Sequence, residues 1–303
     1  MIIDLHLHSN YSDGKFKPTE VAERLAVAGI KMAALTDHDT VAGTAEFNSA
    51  AAKLGIIPIN GVEITAYHEG LGLHILGLGI DAKSLVLQKI FSKQAKERKR
   101  SFLKAVELFE KAGFIIDIKK LAKLKKIKTL TKPHIFDLIY GVAENQVIAK
   151  QKYRLIERER LVGAFIDHFM SLPGQIGYVK KNGLTCQEAI KSIHQAGGKA
   201  ILAHPGIEIE FKEGQADILE VISNLRAMGL DGLEAFYSTL SGSKRTINFY
   251  EVAKKYKLLA TMGSDDHDGS RIGTVKIKKH LVKVLAKKIL ESVDDSRNFP
   301  ALF

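Results

Sequence analysis

The sequence predicts an α/β body of repeated strand–helix units, interrupted by a mainly helical insertion. Three observations carry this reading. Short apolar segments alternate with amphipathic ones over residues 1–90, and again over 185–303. The stretch 91–184 breaks that rhythm with helical patterns rich in Lys, Glu and Arg. Histidines and acids recur at strand ends, where parallel β/α sheets and barrels present their ligands.

Each element has a local reason. Ile2 to Leu7 alternates apolar and ligand-type residues, as a strand does, so His6 and His8 share a face. Pro18 to Ala28 is helical, with Thr19 as its expected cap and Val21, Leu25 and Ala28 on one side. Ile30 to Thr36 is a short buried strand ending at Asp37-His38-Asp39, and Thr44 to Leu54 is a helix closed by Gly55. Ile56 to Asn60, Val62 to Ala66 and Leu73 to Leu78 read as strands. In the insertion, apolar residues at 118, 121, 124 and 127 give one buried helix face, and Ile176 to Val179 is a weak strand signal. Beyond it come a helix over Cys186–Gly197, a strand over Lys199–Leu202 and a helix over Ile218–Met228. The chain then continues with a strand over Gly232–Phe236, a helix over Lys244–Lys255 and a strand over Leu258–Met262.

Composition bounds the class. With 303 residues, 46% of them hydrophobic, the chain can bury a large core, and one or two domains are expected. No apolar run approaches the roughly 18 residues of a membrane span, and with strand-like sequence starting at residue 2 no signal segment is expected. The single cysteine, Cys186, excludes an internal disulfide and reads as a small buried residue at a helix start. A cytoplasmic protein without an obligate protein partner is expected. The net charge of +11 concentrates between Lys93 and Arg160. Such a surface favours encounter with phosphorylated ligands, although solvated helix faces account for most of these lysines.

Ligand-type residues punctuate the chain in order: His6, His8 and Asp13; Asp37 and His38; Glu63; His74; His204; Asp265 and His267. Imidazoles and carboxylates bind Zn, Mn and Fe, and the cysteines of a structural zinc site are missing. Apart from Asp37, nine such groups are too many for one ion and suit two or three, with carboxylates such as Glu63 and Asp265 bridging. A lone histidine in a strand is ordinarily a core residue, but that explanation would have to be repeated six times here.

The segments Asp4-Leu5-His6-Leu7-His8-Ser9, Thr36-Asp37-His38-Asp39-Thr40, Gly61-Val62-Glu63, Ala203-His204-Pro205 and Gly263-Ser264-Asp265-Asp266-His267 together resemble the PHP (polymerase and histidinol phosphatase) superfamily. The resemblance covers the whole chain. It implies a distorted (β/α)7 barrel, built from 1–90 and 185–303, holding a trinuclear site. His6 and His8 would bind one ion and share Glu63 and Asp265. Glu63, His74 and His204 would hold a second, and Asp13, His38 and His267 a third. Asp37 would serve catalysis by orienting a histidine. Thr131-Lys132-Pro133-His134 and Gly232-Leu233-Glu234-Ala235-Phe236-Tyr237 resemble the branch containing 3′,5′-nucleoside bisphosphate phosphatase and a 5′-3′ exoribonuclease of short RNAs. That branch usually has arginine where Lys132 stands and phenylalanine where Asp266 stands, and Asp266 is expected to repel a polyanion.

The resemblance therefore implies a metal-dependent phosphohydrolase in which a hydroxide held by the ions attacks phosphorus. Two or three divalent ions are expected, Mn²⁺ first and Fe²⁺ or Zn²⁺ otherwise. Ser9, Ser12 and Ser264 are expected to hydrogen-bond phosphate or ligands. His134 and Lys132 would close over the metals and hold phosphate, while Arg98 and Arg100 would meet a second phosphate. The expected substrate is a nucleoside 3′,5′-bisphosphate or a short 5′-phosphorylated oligonucleotide. Histidinol-phosphate phosphatase is the alternative within that chemistry, and a non-catalytic metal-binding scaffold the alternative outside it.

Overall fold

A computed structural model describes residues 2–126, 130–156, 161–180, 183–208, 217–238 and 247–293. The chain divides into two compact units: Met1–Phe91 with Gly183–Phe303, and Ser92–Asn182.

The first unit is built on a nearly closed, barrel-like sheet. Its elements are β1 (Ile3–Asp4), α1 (Pro18–Val27), β2 (Met32–Leu35), α2 (Thr44–Lys53), β3 (Ile57–His68) and β4 (Leu71–Leu78). After α3 (Leu85–Lys111), α4 (Ile118–Leu124), α5 (Lys132–Tyr140), α6 (Ala143–Gln151) and α7 (Leu161–Phe169), the sheet resumes. It continues as β5 (Leu184–Thr185), α8 (Cys186–Gln195), β6 (Lys199–Leu202), α9 (Pro205–Glu208), α10 (Ile218–Ala227) and β7 (Gly232–Tyr237). The last elements are α11 (Phe249–Lys255), β8 (Leu259–Gly263) and α12 (Lys279–Val293). The strand order is β1-β2-β3-β4-β6-β7-β8, with β5 beside β3. The ends of this path meet: Leu5 N–H donates to the Met262 carbonyl (3.0 Å), Asp265 N–H to His6 (3.0 Å) and His8 N–H to Asp266 (3.0 Å). The distorted seven-stranded barrel ringed by helices is thus as expected from the sequence.

Three local expectations need correction. The sheet is mixed, because β4 runs antiparallel to both β3 and β6. Glu69 and Gly70 both take positive φ (49° and 83°), the two-residue hairpin geometry that leaves no room for a crossover helix. The two strands predicted on either side of Gly61 are one continuous β3; a Cβ at Gly61 would lie 2.8 Å from the Leu35 carbonyl oxygen, so glycine lets β3 pass β2. Thr19 does not cap α1, whose cap is Lys17; the Thr19 hydroxyl instead donates to Glu46 (2.8 Å). Cys186 is buried on α8, behind a Thr185–Glu188 capping box, and burial pushes its thiol up to about 12. The first residues of the predicted Lys244–Lys255 helix lie outside the described set.

The second unit packs its helices on an aromatic core. Phe109 sits 5.3 Å from Phe114 and 5.6 Å from Phe165, and Phe165 sits 4.8 Å from Phe169. On α4, Leu124 is buried, Ile118 is exposed, and Ile127 is outside the described residues. The weak strand signal at Ile176–Val179 is not realised. Gly177 N–H is taken by the carbonyl of Phe169, and Gly177 lies against the Phe109 ring. No described helix is long and apolar enough to cross a membrane.

Buried Asn145 ties this unit together: its amide accepts from Ile115 N–H (2.8 Å) and donates to the carbonyls of Ile115 (2.8 Å) and Ile139 (2.8 Å). Asn145→Ala leaves these buried groups unpaired and should cost about 2–4 kcal/mol. Urea unfolding would measure it; a loss below roughly 1 kcal/mol would show that the amide contributes little.

Candidate metal centre

Barrel geometry gathers the predicted ligands. His6 and His8 follow β1, with Leu5 before them and Leu7 between them buried in the core. His38 leaves β2 and bridges to Glu63, which lies within β3 rather than at its end. His74 lies within β4, opposite Thr65, and so on the same sheet face as Glu63. His204 follows β6, and Asp265 and His267 follow β8.

Glu63 stands at the middle of this group. Its Oε1 is 3.3 Å from His6 Nε2, 3.0 Å from His74 Nδ1 and 3.2 Å from His204 Nε2. Its Oε2 is 3.2 Å from His8 Nε2 and 3.0 Å from His38 Nδ1. Asp265 Oδ1 lies 3.5 Å from His6 Nε2 and 3.4 Å from His8 Nε2. Asp13 faces His267 (3.4 Å), His38 (3.7 Å) and His8 (3.7 Å). Four overlapping donor groups form, each with its atoms within 4.8 Å: His8–Asp13–His38–His267, His6–His8–Glu63, His6–His204–Asp265 and His38–Glu63–His74. His204 therefore gathers with His6 and Asp265 as well as lying beside Glu63 and His74, so the three ligand sets implied by the resemblance are less separate than expected.

These residues fit divalent ions. The buried atoms His6 Nε2, His8 Nε2, Asp13 Oδ1, His38 Nδ1 and Glu63 Oε2 make no well-formed hydrogen bond among the described residues. Buried polar atoms are rarely left so, and here the atoms are all of metal-ligating type. The electrostatics agree. Burial alone would raise Glu63, yet His38, His74 and His6 hold it well below the usual carboxylate range. Burial would lower His267, but Asp13 and Asp265 push it up to about 10. His38 is held well below its ordinary value, chiefly by burial.

Further residues brace this nest. Asp37 accepts from Ser9 N–H (2.7 Å), from the Ser9 hydroxyl (2.6 Å) and from the Ser12 hydroxyl (2.6 Å). Its link to a histidine is indirect, through Ser12, whose hydroxyl lies 3.5 Å from His8 Nδ1. Sequence reasoning did not assign Glu234, Asp4 or Arg271. Glu234 is fully buried; its Oε2 takes His6 Nδ1 (3.3 Å) and the His204 N–H (2.9 Å). Asp4 accepts from Ser264 N–H (2.8 Å), and burial pushes its carboxyl up to about 7. The signals for Glu234 and Asp4 were their place as single acids in apolar strands and inside segments that carry the resemblance. Asp266, next to Asp265, is buried, and its oxygens accept from Gly269 N–H (2.8 Å) and Arg271 N–H (2.8 Å), so they are turned to its own loop. A cleft of about 290 Å³ is lined by Phe236, Tyr237, Ser238, Thr274, Lys276 and Ile277. Tyr237 accepts Gly206 N–H (2.8 Å), and its ring lies 6.4 Å from that of His204.

Within the second unit, Arg98 and Lys132 line one small cavity of about 30 Å³. Arg100, expected beside them, is instead held on the surface by Glu97 (2.6 and 2.8 Å) and the Lys180 carbonyl (3.3 Å). His134 takes part in the cap of α5: Thr131 N–H donates to its Nδ1 (3.1 Å), so the neutral ring carries its proton on Nε2.

The PHP domain family matches residues 4–211. Phosphoribosyl 1,2-cyclic phosphate 1,2-diphosphodiesterase of Eggerthella lenta is 30% identical across 88% of this chain and 94% of its own length. The 5′-3′ exoribonuclease of Haemophilus influenzae is 31% identical across 87% of this chain and 89% of its own. The 3′,5′-nucleoside bisphosphate phosphatase of Chromobacterium violaceum is 32% identical across 88% and 87%. Among solved structures, a Chromobacterium violaceum protein described as an amidohydrolase, with bound sulfate and no metal, superposes with a TM-score of 0.77 at 26% identity, covering 98% of this chain and 100% of that one. A candidate metal-dependent phosphoesterase from Bifidobacterium adolescentis gives 0.74 at 26%, covering 97% of each. On a family match covering most of its length, and on relatives 30–32% identical across 87–88% of it, the chain belongs to the PHP domain family.

Proposed function

We propose that this chain, a metal-dependent phosphoester hydrolase of the PHP family, acts on a phosphorylated nucleotide, either a nucleoside 3′,5′-bisphosphate or a short 5′-phosphorylated oligonucleotide. The observation that carries this is the nest of six imidazoles and three carboxylates, in which His6 Nε2, His8 Nε2, Asp13 Oδ1, His38 Nδ1 and Glu63 Oε2 make no well-formed hydrogen bond among the described residues. Two of the three similar relatives act on such nucleotides or on RNA. A second reading, opening of a cyclic sugar phosphodiester, is favoured by the similarity to the diphosphodiesterase.

His6, His8, Asp13, His38, Glu63, His74, His204, Asp265 and His267 are the proposed holders of two or three divalent ions, Mn²⁺ first. When bound, such ions neutralise charge on phosphate oxygens and lower the pKa of an attacking water. The protein residues then have separate tasks. Asp37 fixes Ser12, and through it the His8 ring. Glu234 accepts the His6 Nδ1 proton, which leaves the Nε2 lone pair directed at Glu63 and Asp265. His134, with its proton on Nε2, is a donor to an ester oxygen, and Lys132 and Arg98 are cations for the substrate's second charge. The cleft beside Tyr237 is the proposed seat of the alcohol portion. A cytoplasmic enzyme is in keeping with this substrate class.

Chelation should abolish hydrolysis and Mn²⁺ should restore it; activity in protein shown metal-free by elemental analysis would refute the reading. A panel of adenosine 3′,5′-bisphosphate, a pentanucleotide RNA, a ribose cyclic phosphate and histidinol phosphate tests the substrate claim. Dominant turnover of either of the last two would overturn it. His134→Ala should lower turnover roughly 10- to 1000-fold with metal content unchanged, and the lost cap should also cost about 0.5–2 kcal/mol of stability. Metal loss in this variant would instead make His134 a ligand. Glu234→Gln keeps the shape, but its amide can present an N–H where a lone pair is needed; metal affinity should fall about 10- to 100-fold. Elemental analysis after dialysis against graded chelator reads this, and wild-type retention would remove Glu234 from the metal centre's support.

A further inference from the structure

Arg271 stands where a cation is least expected. Its Nη1 lies 3.4 Å from Asp265 Oδ2 and 3.3 Å from the Asp265 carbonyl. Asp265 Oδ1 points the other way, to His6 and His8. The arginine side chain is 13% exposed, and Nη1 is its one hydrogen-bonding side-chain nitrogen among the described residues. A guanidinium carries five donors in a planar fork, so most of this one's capacity is uncommitted.

Its backbone, by contrast, is pinned. Asp266 Oδ1 accepts Arg271 N–H (2.8 Å), and Asp266 Oδ2 accepts Gly269 N–H (2.8 Å). On the other side the Arg271 carbonyl accepts from Thr274 N–H (3.0 Å) and from the Thr274 hydroxyl (2.6 Å). The loop after His267 is therefore built to deliver one guanidinium to the rim of the nest.

The open fork says what that guanidinium is for. One oxygen of Asp265 takes Nη1 while the other is turned to His6 and His8, so the remaining donors stand at the rim beside the atoms that would hold the ions. A fixed cation against a metal-ligating carboxylate competes with the ion for it, and an anion bound between the two relieves that competition. We infer that Arg271 binds the phosphoryl group undergoing reaction, closing its fork on oxygens that the metal centre leaves uncovered. The inference rests on the phosphohydrolase reading and names a residue of the reacting-phosphate site that lies in the barrel unit. Bidentate guanidinium–phosphate contacts are among the stronger hydrogen bonds, which sets the size of the effect.

The test is calorimetric titration of inorganic phosphate into Mn²⁺-loaded protein at fixed ionic strength. Arg271→Gln should weaken phosphate binding by roughly 10- to 100-fold, with metal content and melting temperature unchanged. Arg271→Lys, which keeps the charge and loses the fork, should fall between the two and guards against a misfolded Gln variant. Unchanged phosphate affinity in Arg271→Gln, or no phosphate binding by the wild type, overturns the inference. Loss of metal from Arg271→Gln overturns it too, since Arg271 would then act only through Asp265. A wild type that binds phosphate but hydrolyses no ester would defeat the phosphohydrolase reading alone, leaving the Arg271 result to stand by itself.

Discussion

A buried carboxylate ringed by imidazoles is the constraint on which the mouth of this barrel depends. Glu63 is fully buried, and five histidine rings bring a nitrogen within 3.0–3.3 Å of its two oxygens. Removing a carboxylate from water costs several kcal/mol unless positive charge or strong donors replace the solvent. The replacements come from after β1, from after β2, from β4 and from after β6, so the strands must converge on one residue of β3. That requirement accounts for features of the fold that are otherwise arbitrary. β3 runs unbroken through Gly61 past the end of β2, and its two-residue hairpin returns β4 so that His74 lies on the face of Glu63. Gly263 belongs to the same set: a Cβ there would lie 2.3 Å from His6 Cβ and 2.5 Å from Glu234 Oε1. Only glycine in β8 lets Glu234 reach the far side of His6.

The nine donor residues were legible in the sequence because their chemistry is rare in strands: His6, His8 and His204 have no ordinary reason to recur beside acids in apolar segments. The barrel's strand–helix rhythm was legible for a similar reason, since its apolar periods are short and cleanly bounded. What escaped depended on contacts between residues distant in sequence. Glu234 serves His6 and the backbone of His204, Asp4 serves the backbone of Ser264, and Asp266 serves its own loop. An acid that accepts backbone N–H groups leaves no pattern, because its partner can be any residue type. The antiparallel turn of β4 was hidden likewise: Glu69-Gly70 reads as a loop, and only the positive φ at both residues makes it a hairpin. Ile176–Val179 was misleading because its β-branched and aromatic residues suit the helical unit's core as well as a sheet.

Strain at the mouth shows how the donors are held before any ion arrives. Asp39, His204 and Asp265 all take positive φ, at 51°, 24° and 52°. For residues with a Cβ such conformations cost on the order of 1–3 kcal/mol each. Each is held by a specific bond: Asp39 N–H to the Glu63 carbonyl (2.8 Å), His204 N–H to Glu234 (2.9 Å) and Asp265 N–H to the His6 carbonyl (3.0 Å). Those bonds tie the strained residues to the strands that carry the other ligands, so relaxing one would displace its neighbours. The donor atoms are thereby fixed by the backbone while several stay without good hydrogen bonds of their own. Such an arrangement is costly in the metal-free chain and favourable once cations fill it, which couples metal binding to stability. It also divides the labour within two of the ligands. In His6, one ring nitrogen belongs to the fold through Glu234 and the other faces the nest. In Asp265, one oxygen faces the nest and the other meets Arg271. Ligands that spend one atom on the protein and keep the other for the nest need little rearrangement to take up a cation.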